Sequence, residues 1–314
     1  MIKSITIFGG SGFIGGSFYD FYTNKSNSLK VLNLISRSVK KKYLPNKRVN
    51  LIEYDIEKNA GEELPESTDL VFYAVDNTDY SLYEKKLSNK LSNKIKNFIK
   101  ICKKKYRKSK IIFISSGSVY GRFDQDKKFK ETFKFHDIKK IDDLKKYYIH
   151  NKRLNEKIFK KLGKEGFKTL IARCFTFIGP RIPLNKHFLI GNLIKKHLQN
   201  KILKVKSNRK VFRSYMYSDD MVRWLVSLDK VCSNRCPIFN VGSDQEISLD
   251  KILYTFTKVR SKVKKRKKLI DYYDYYVPDI SKIQNTLNLK YENNFEKTLK
   301  KTIKNVKNIY PSIS

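Results

Sequence analysis

Tyr148 and Lys152 stand four residues apart in the run Tyr148-Ile149-His150-Asn151-Lys152. On a helix that spacing puts both side chains on one face. A free phenol titrates near about 10 and is a poor base at neutral pH. An ammonium beside it favours the phenolate and brings proton transfer toward the working range, so the pair could move a proton at a hydroxyl or carbonyl group. Ser116 follows the apolar run Ile111-Ile112-Phe113-Ile114 and Ser115, at the C-terminal end of an expected strand, where ligands bind in open parallel sheets. Tyr147 meets only Asn151 at the same spacing, and an ordinary half-buried aromatic role suits it and most of the 20 tyrosines.

A second set of residues has the chemistry of a phosphate cradle. Gly9-Gly10-Ser11-Gly12-Phe13-Ile14-Gly15 follows a short β-branched run and opens an expected helix. Gly9 permits a tight turn, Gly12 lets backbone approach a pyrophosphate, and Gly15 allows close helix–sheet packing. The N–H groups and dipole of the helix start, around Phe13 and Ile14, favour the phosphates. In this strand–turn–helix context the loop is read as a dinucleotide site. Cofactor type is read at the end of the second strand, Val31-Leu32-Asn33-Leu34-Ile35-Ser36-Arg37. An acidic residue there would hold an NAD ribose and repel a 2′-phosphate. Ser36 and Arg37 stand there instead, so either NAD or NADP is expected, with NADP slightly favoured.

The elements that must position these groups alternate along the first 175 or so residues. Strands are expected at Ser4–Phe8, Lys30–Ser36, Val49–Asp55, Asp69–Val75, Lys110–Ser115 and Thr169–Phe175. Helices are expected at Phe13–Thr23, Tyr83–Lys105 and Asp142–Leu162, and later at Phe188–Asn200, Asp219–Leu228, Ser248–Val259 and Phe295–Lys307. Apolar strands alternating with helices predict an α/β fold, a Rossmann-like doubly wound parallel sheet covered on both faces. A smaller C-terminal substrate-binding lobe is expected to follow. The division is residues 1–175 for the nucleotide domain and 176–314 mostly for the lobe, with some later strands returning to the sheet.

Composition narrows the function classes. Hydrophobic residues make up 40% and aromatics 13% of 314 residues, which excludes a disordered chain. No apolar run approaches the about 18 residues of a membrane span, and the N-terminal run Met1–Phe8 reads as a strand and not a signal peptide, so a cytoplasmic protein without a membrane partner is expected. The four cysteines include Cys232-Ser-Asn-Arg-Cys236, whose spacing has no His or Cys nearby, and no metal site is expected. The net charge of +38, from 68 Lys+Arg against 30 Asp+Glu, suits acidic partners. The basic runs are dispersed, rich in Lys over Arg, and lack the interleaved aromatics of a nucleic-acid platform, which argues against nucleic acid as the partner.

Beyond these readings, the wording Gly9-Gly10-Ser11-Gly12-Phe13-Ile14-Gly15 resembles that of the extended short-chain dehydrogenases/reductases, the nucleotide-sugar epimerase/dehydratase family. Further segments resemble that family's motifs in the same order. They are Ser115-Ser116-Gly117-Ser118-Val119-Tyr120-Gly121, the Tyr148/Lys152 pair, Arg173-Cys174-Phe175-Thr176-Phe177-Ile178-Gly179-Pro180, Arg213-Ser214-Tyr215-Met216-Tyr217-Ser218-Asp219-Asp220, Phe239-Asn240-Val241-Gly242 and Pro278-Asp279-Ile280-Ser281-Lys282. The resemblance spans essentially the whole chain.

The resemblance implies roles for particular residues. Tyr148 would be the acid/base, Ser116 its hydrogen-bonding partner, and Lys152 would also hold the nicotinamide ribose. Gly9, Gly12, Phe13, Ile14, Gly15, Ser36, Arg37, Asp55, Ile56 and Phe175 would line the cofactor. Ser118, Thr176 and Arg213 would meet a nucleoside-diphosphate sugar, Arg213 as a bidentate clamp on the diphosphate. The implied activity is an NAD(P)-dependent oxidoreductase, a 4-keto reductase or a 4-epimerase, in a homodimer. The alternatives are a 4,6-dehydratase, or an RNA-binding protein that kept the fold. The chain also departs from the family. Tyr73-Ala74-Val75-Asp76 stands where the pattern has His-Leu-Ala-Ala, and Thr176 stands for an Asn. Gly117-Ser118 stands where the dehydratases carry Asp-Glu, the acid and base of water elimination, which speaks against dehydration.

Overall fold

The computed structural model describes residues 2–24, 29–58, 63–76, 92–121, 123–139, 141, 143–184, 188–205, 207–259, 261–264, 270–292 and 294–311. Its elements in chain order are β1 (Ser4–Phe8), α1 (Phe13–Asn24), β2 (Val31–Ser36), β3 (Val49–Glu53), β4 (Leu70–Tyr73), α2 (Asn93–Lys105), β5 (Lys110–Ser116), α3 (Asp143–Lys164), β6 (Lys168–Cys174) and β7 (Phe177–Ile178). They continue with α4 (Leu189–Leu198), β8 (Lys210–Arg213), β9 (Met216–Tyr217), α5 (Ser218–Ser227), β10 (Ile238–Val241), β11 (Ile247–Ser248), α6 (Leu249–Thr257), β12 (Tyr273–Tyr276), α7 (Ser281–Leu287) and α8 (Phe295–Ile309).

The principal sheet has seven strands in the order β10-β6-β5-β4-β1-β2-β3 and is parallel. Its central strands are apolar on both faces, and all four residues of β4 are buried, as a sheet covered by helices on each side requires. The expected Rossmann-like fold is therefore present. The strand expected at Asp69–Val75 is seen as Leu70–Tyr73; at its start Asp69 turns its carboxylate onto the Lys3 and Ser4 N–H groups at 2.7 and 2.9 Å. The helix expected at Tyr83–Lys105 is seen from Asn93 onward, and residues 83–91 lie outside the described residues, as does Asp142.

Compact packing divides the chain into two units. The first comprises Met1–Val119, Lys139–Arg173 and Leu225–Phe239. Its core is an aromatic cluster in which Tyr73 meets Phe98 of α2 at 4.4 Å and Phe113 meets Phe159 of α3 at 4.8 Å between ring centroids. Each such pair adds about 0.5–1.5 kcal/mol beyond its buried area, and together they seat α2 and α3 on the sheet. Buried polar groups within the sheet are satisfied: Asn33 donates to the Thr6 hydroxyl and accepts from Asn50.

The second unit comprises Tyr120–Ile138, Cys174–Trp224 and Asn240–Ser314. It holds a three-stranded sheet in the order β11-β8-β12, with β11 antiparallel and β12 parallel to β8, and the two-stranded pair β7-β9. Asn240 is its buried polar hub. It accepts from the Tyr120 hydroxyl at 2.8 Å and donates to the Phe129 and Asp279 carbonyls. Among the described residues no helix is long and apolar enough to cross a membrane.

Candidate active site

The Gly-rich loop joins β1 to α1 at the C-terminal edge of the sheet. Gly9 has φ +90°, a conformation that favours glycine, and a side chain there would strike the Ala74 carbonyl. A side chain at Gly15 would collide with the Gly10 carbonyl, so that glycine allows α1 to lie close to the loop. Gly12 differs from both. Its φ is unremarkable for any residue, and an added Cβ would meet only the Gly9 carbonyl at 3.3 Å. Beyond that one tight contact nothing lies within 4 Å, and the space there fits a ligand's close approach. The helix begins at Phe13 with no acidic residue in its first turn. Its first N–H groups, at Phe13 and Ile14, have no acceptor within the helix. This cradle suits the pyrophosphate of a dinucleotide.

At the end of β2, Ser36 accepts from the Ser38 N–H at 3.5 Å. Arg37 is exposed and makes no hydrogen bond or ion pair among the described residues. Lys42 reaches back to donate to the Ser11 carbonyl at 2.8 Å, which adds a cation beside the loop. Asp55 accepts from the Glu57 N–H and so turns the chain after β3, while the Ile56 side chain joins the hydrophobic core.

The same edge of the sheet carries the proton-transfer candidates. Ser116, at the last position of β5, is largely buried and accepts from the Ser118 N–H at 3.1 Å. Ser118 is likewise buried, at the start of a 3-10 turn, Gly117–Tyr120. Tyr148 is half-buried on α3. The Lys152 ammonium lies 5.7 Å from the centre of the Tyr148 ring and 5.0 Å from that of Phe113. It donates to the Ile114 carbonyl at 2.7 Å and forms an ion pair with Asp76 at 2.7 Å. An ammonium has three donors, so one remains for a ligand. Three further bonds hold α3 in place. Ser115 donates to Glu156 at 2.7 Å, Glu156 forms a buried pair with Arg173 of β6 at 2.8 Å, and Arg153 donates to the Val119 carbonyl.

The remaining expected site residues lie in the second unit. Phe175 is buried beside Tyr276, with ring centres 4.7 Å apart, and its N–H donates to the Val241 carbonyl. Thr176 is half-buried, and its carbonyl accepts from the Met216 N–H. Arg213 donates to the Phe212 and Asp274 carbonyls and to the Asp274 carboxylate at 2.9 Å. Three of its five donors are thus engaged, leaving one Nη2 hydrogen and Nε for a ligand.

The family model described as the NAD dependent epimerase/dehydratase family matches residues 5–242. The chain belongs to that family. The resemblance drawn from its motifs is thereby upheld, and a nicotinamide dinucleotide is the family's cofactor. Among curated proteins, UDP-glucuronic acid decarboxylase 1 of Xenopus tropicalis is 32% identical over 103 residues. That stretch covers 32% of this chain and only 24% of the relative. Among solved structures, an epimerase from Methanothermobacter thermautotrophicus superposes with a TM-score of 0.81 at 17% identity, covering 99% of this chain and 94% of that one. UDP-glucuronic acid 4-epimerase from Bacillus cereus, in complex with UDP-glucuronic acid and NAD, gives 0.75 at 20% identity, covering 98% and 100%.

Within the family's fold, three contacts at the site escaped the sequence reading. Glu156 continues the Tyr148, Lys152 spacing by four more residues, so the helix periodicity alone could have flagged it. Lys42 and Asp76 reach partners 31 and 76 residues away, and nothing in their local spacing points there. Among the described residues no cluster of three or more His, Cys, Asp or Glu side chains could hold a metal ion.

Proposed function

We propose that the chain is an NAD(P)-dependent oxidoreductase of nucleoside-diphosphate hexoses, a 4-keto reductase or 4-epimerase. The observation that supports this is the Lys152 ammonium, beside the Tyr148 ring and bonded to the Ile114 carbonyl two residues before Ser116, on the sheet edge that also carries the Gly-rich loop. When bound, the nicotinamide supplies hydride chemistry at a sugar carbon. The chain's own residues do the rest. The Tyr148 hydroxyl passes a proton to or from the sugar oxygen, the Ser116 hydroxyl holds that oxygen, and the Lys152 ammonium favours the phenolate. Arg213, on its remaining donors, binds the diphosphate, and Ser118 and Thr176 meet the sugar. Phe175 and the Asp55–Ile56 pair complete the cofactor wall.

Water elimination needs an acid and a base after Ser116, and Gly117 and Ser118 supply neither. A serine hydroxyl is far too weak an acid to replace a carboxylic acid at neutral pH. The test is to incubate the protein with several nucleoside-diphosphate hexoses and cofactor and weigh the products. A gain of two hydrogens on a 4-keto sugar selects the reductase, and an unchanged mass with inverted stereochemistry selects the epimerase. Loss of water would overturn the reading. Loss of carbon dioxide from a uronic acid substrate would replace it with decarboxylation, the activity in the name of the Xenopus relative.

Within this reading the cofactor is NADP in preference to NAD. Support comes from Ser36 and the exposed Arg37 at the end of β2, with Lys42 nearby. Arg37→Asp should reverse the preference in cofactor titrations, and equal affinity of the parent chain for both cofactors would refute it. A cytoplasmic homodimer is part of the same proposal, and light scattering of the purified protein tests the dimer.

A further inference from the structure

The ion pair between Lys152 and Asp76 is a feature the family pattern does not explain. The pattern His-Leu-Ala-Ala places an alanine where this chain has Asp76. Asp76 follows β4, the strand between β1 and β5, so it emerges between the Gly-rich loop and Ser116. Its carboxylate is 2.7 Å from the Lys152 ammonium, with side-chain exposures of 21% and 6%. The same ammonium lies 5.7 Å from the centre of the Tyr148 ring. A cation with an anion in contact presents a dipole, whose influence at the phenol falls off faster than that of a lone charge.

We propose that Asp76 is a positioning residue that fixes the Lys152 ammonium and offsets its charge, so that Tyr148 releases its proton at higher pH than beside an uncompensated lysine. This rests on the reading of Tyr148 as the acid/base. Among the described residues, the neighbouring ionisable groups do not supply such an offset, and Lys145, at i−3 from Tyr148 on α3, is itself a cation. Tyr73 of β4 is a buried phenol pushed far up by desolvation and then by Asp76 itself. Cys102 of α2 is a buried thiol, held neutral by desolvation. On α3, Glu156 is paired with Arg173 of β6, and His150 is separated from Lys152 by one residue and so faces another side of the helix. The consequence is a Tyr148 suited to donating a proton, the requirement when a ketone is reduced, and less suited to removing one from an alcohol.

The test is the titration of Tyr148 in the ligand-free full-length protein, with tyrosine 13C-labelled at the ring carbon that bears the hydroxyl. The resonance is assigned by its absence from Tyr148→Phe. In Asp76→Asn, which keeps the shape and removes the charge, the midpoint should fall by about one pH unit, tenfold in the proton equilibrium. Asp76→Ala is the second variant, should the amide disturb folding, and it should shift the same way. Asp76→Glu should titrate close to the parent, and Lys152→Met should titrate higher. The pH–rate profile should move with the resonance. If Asp76 served only to place the lysine, removing it would raise the midpoint. A midpoint that is unchanged, raised, or absent from the accessible range in parent and variants would overturn the proposal. Near-normal turnover in Tyr148→Phe would instead defeat the acid/base reading while leaving the NMR shift intact, so the two failures are distinguishable.

Discussion

At the scale of single residues, the glycines of the first loop separate structural from ligand-directed demands. Gly15 is required by the Gly10 carbonyl, whereas Gly12 faces open space apart from the Gly9 carbonyl at 3.3 Å. Gly12→Val should therefore fold with a near-parental melting temperature and lose dinucleotide binding in a fluorescence titration. Gly15→Ala should lose stability as well as binding. Unchanged binding in Gly12→Val would make the loop a turn and nothing more. Tyr148→Phe removes one hydroxyl from a half-buried position. Cofactor affinity should stay nearly intact while turnover falls by about two to four decades, the usual contribution of a positioned acid/base. Steady-state kinetics on the folded variant decides it. Both residues were legible from spacing, because an i, i+4 pair and a glycine string are local patterns. Asp76 stood out as a departure from the family pattern, but its contact with Lys152 was not legible, because the sheet brings the two together.

At the scale of elements, the active edge depends on how α3 is locked to β5 and β6. Glu156 and Arg173, 4% and 3% exposed at their side chains, form the lock, with Ser115 donating to the same carboxylate. Taking away one member of such a buried pair leaves a charge without compensation, at a cost of about 3–5 kcal/mol. Glu156→Leu should lower the free energy of unfolding by that amount in denaturant titrations. The double variant Glu156→Leu, Arg173→Met should recover most of it, since an apolar pair of similar volume fills the space without a charge. A double variant as unstable as the single one would show that packing, and not electrostatics, makes the lock. The strands on either side of α3 were readable in sequence within a residue or two, since runs such as Ile111-Ile112-Phe113-Ile114 admit few other conformations. The two-residue strands β7 and β9 left no such mark. They exist only through their pairing with each other, Phe177 with Met216 and Ile178 with Tyr217, across nearly forty residues of chain.

At the scale of the whole molecule, charge is the dominant unbalanced quantity. Even if each of the 30 acidic residues neutralised one cation, a surplus of 38 positive charges would remain. The acidic residues are already used this way in pairs such as Lys105–Glu66, Lys210–Asp271 and Lys258–Glu296. Exposed pairs such as the last two contribute about 0–1 kcal/mol each and weaken as salt screens them. The surplus cations repel one another over longer distances and destabilise the compact state. Raising salt from 0.01 M to 0.15 M shortens the screening length from about 30 Å to about 8 Å. That removes most of the long-range repulsion and only part of the attraction within contacting pairs. The melting temperature should therefore rise by a few degrees across that range, by scanning calorimetry, and equally for sodium and potassium chloride. A fall would mean that the contacting pairs outweigh the surplus. Dispersed charge also predicts that any association with RNA is non-specific, lost as salt rises and indifferent to sequence. A sequence-selective RNA shift persisting at 0.15 M salt would mean that the basic surface is organised for recognition, and would revive the nucleic-acid reading that the dispersed lysines argue against.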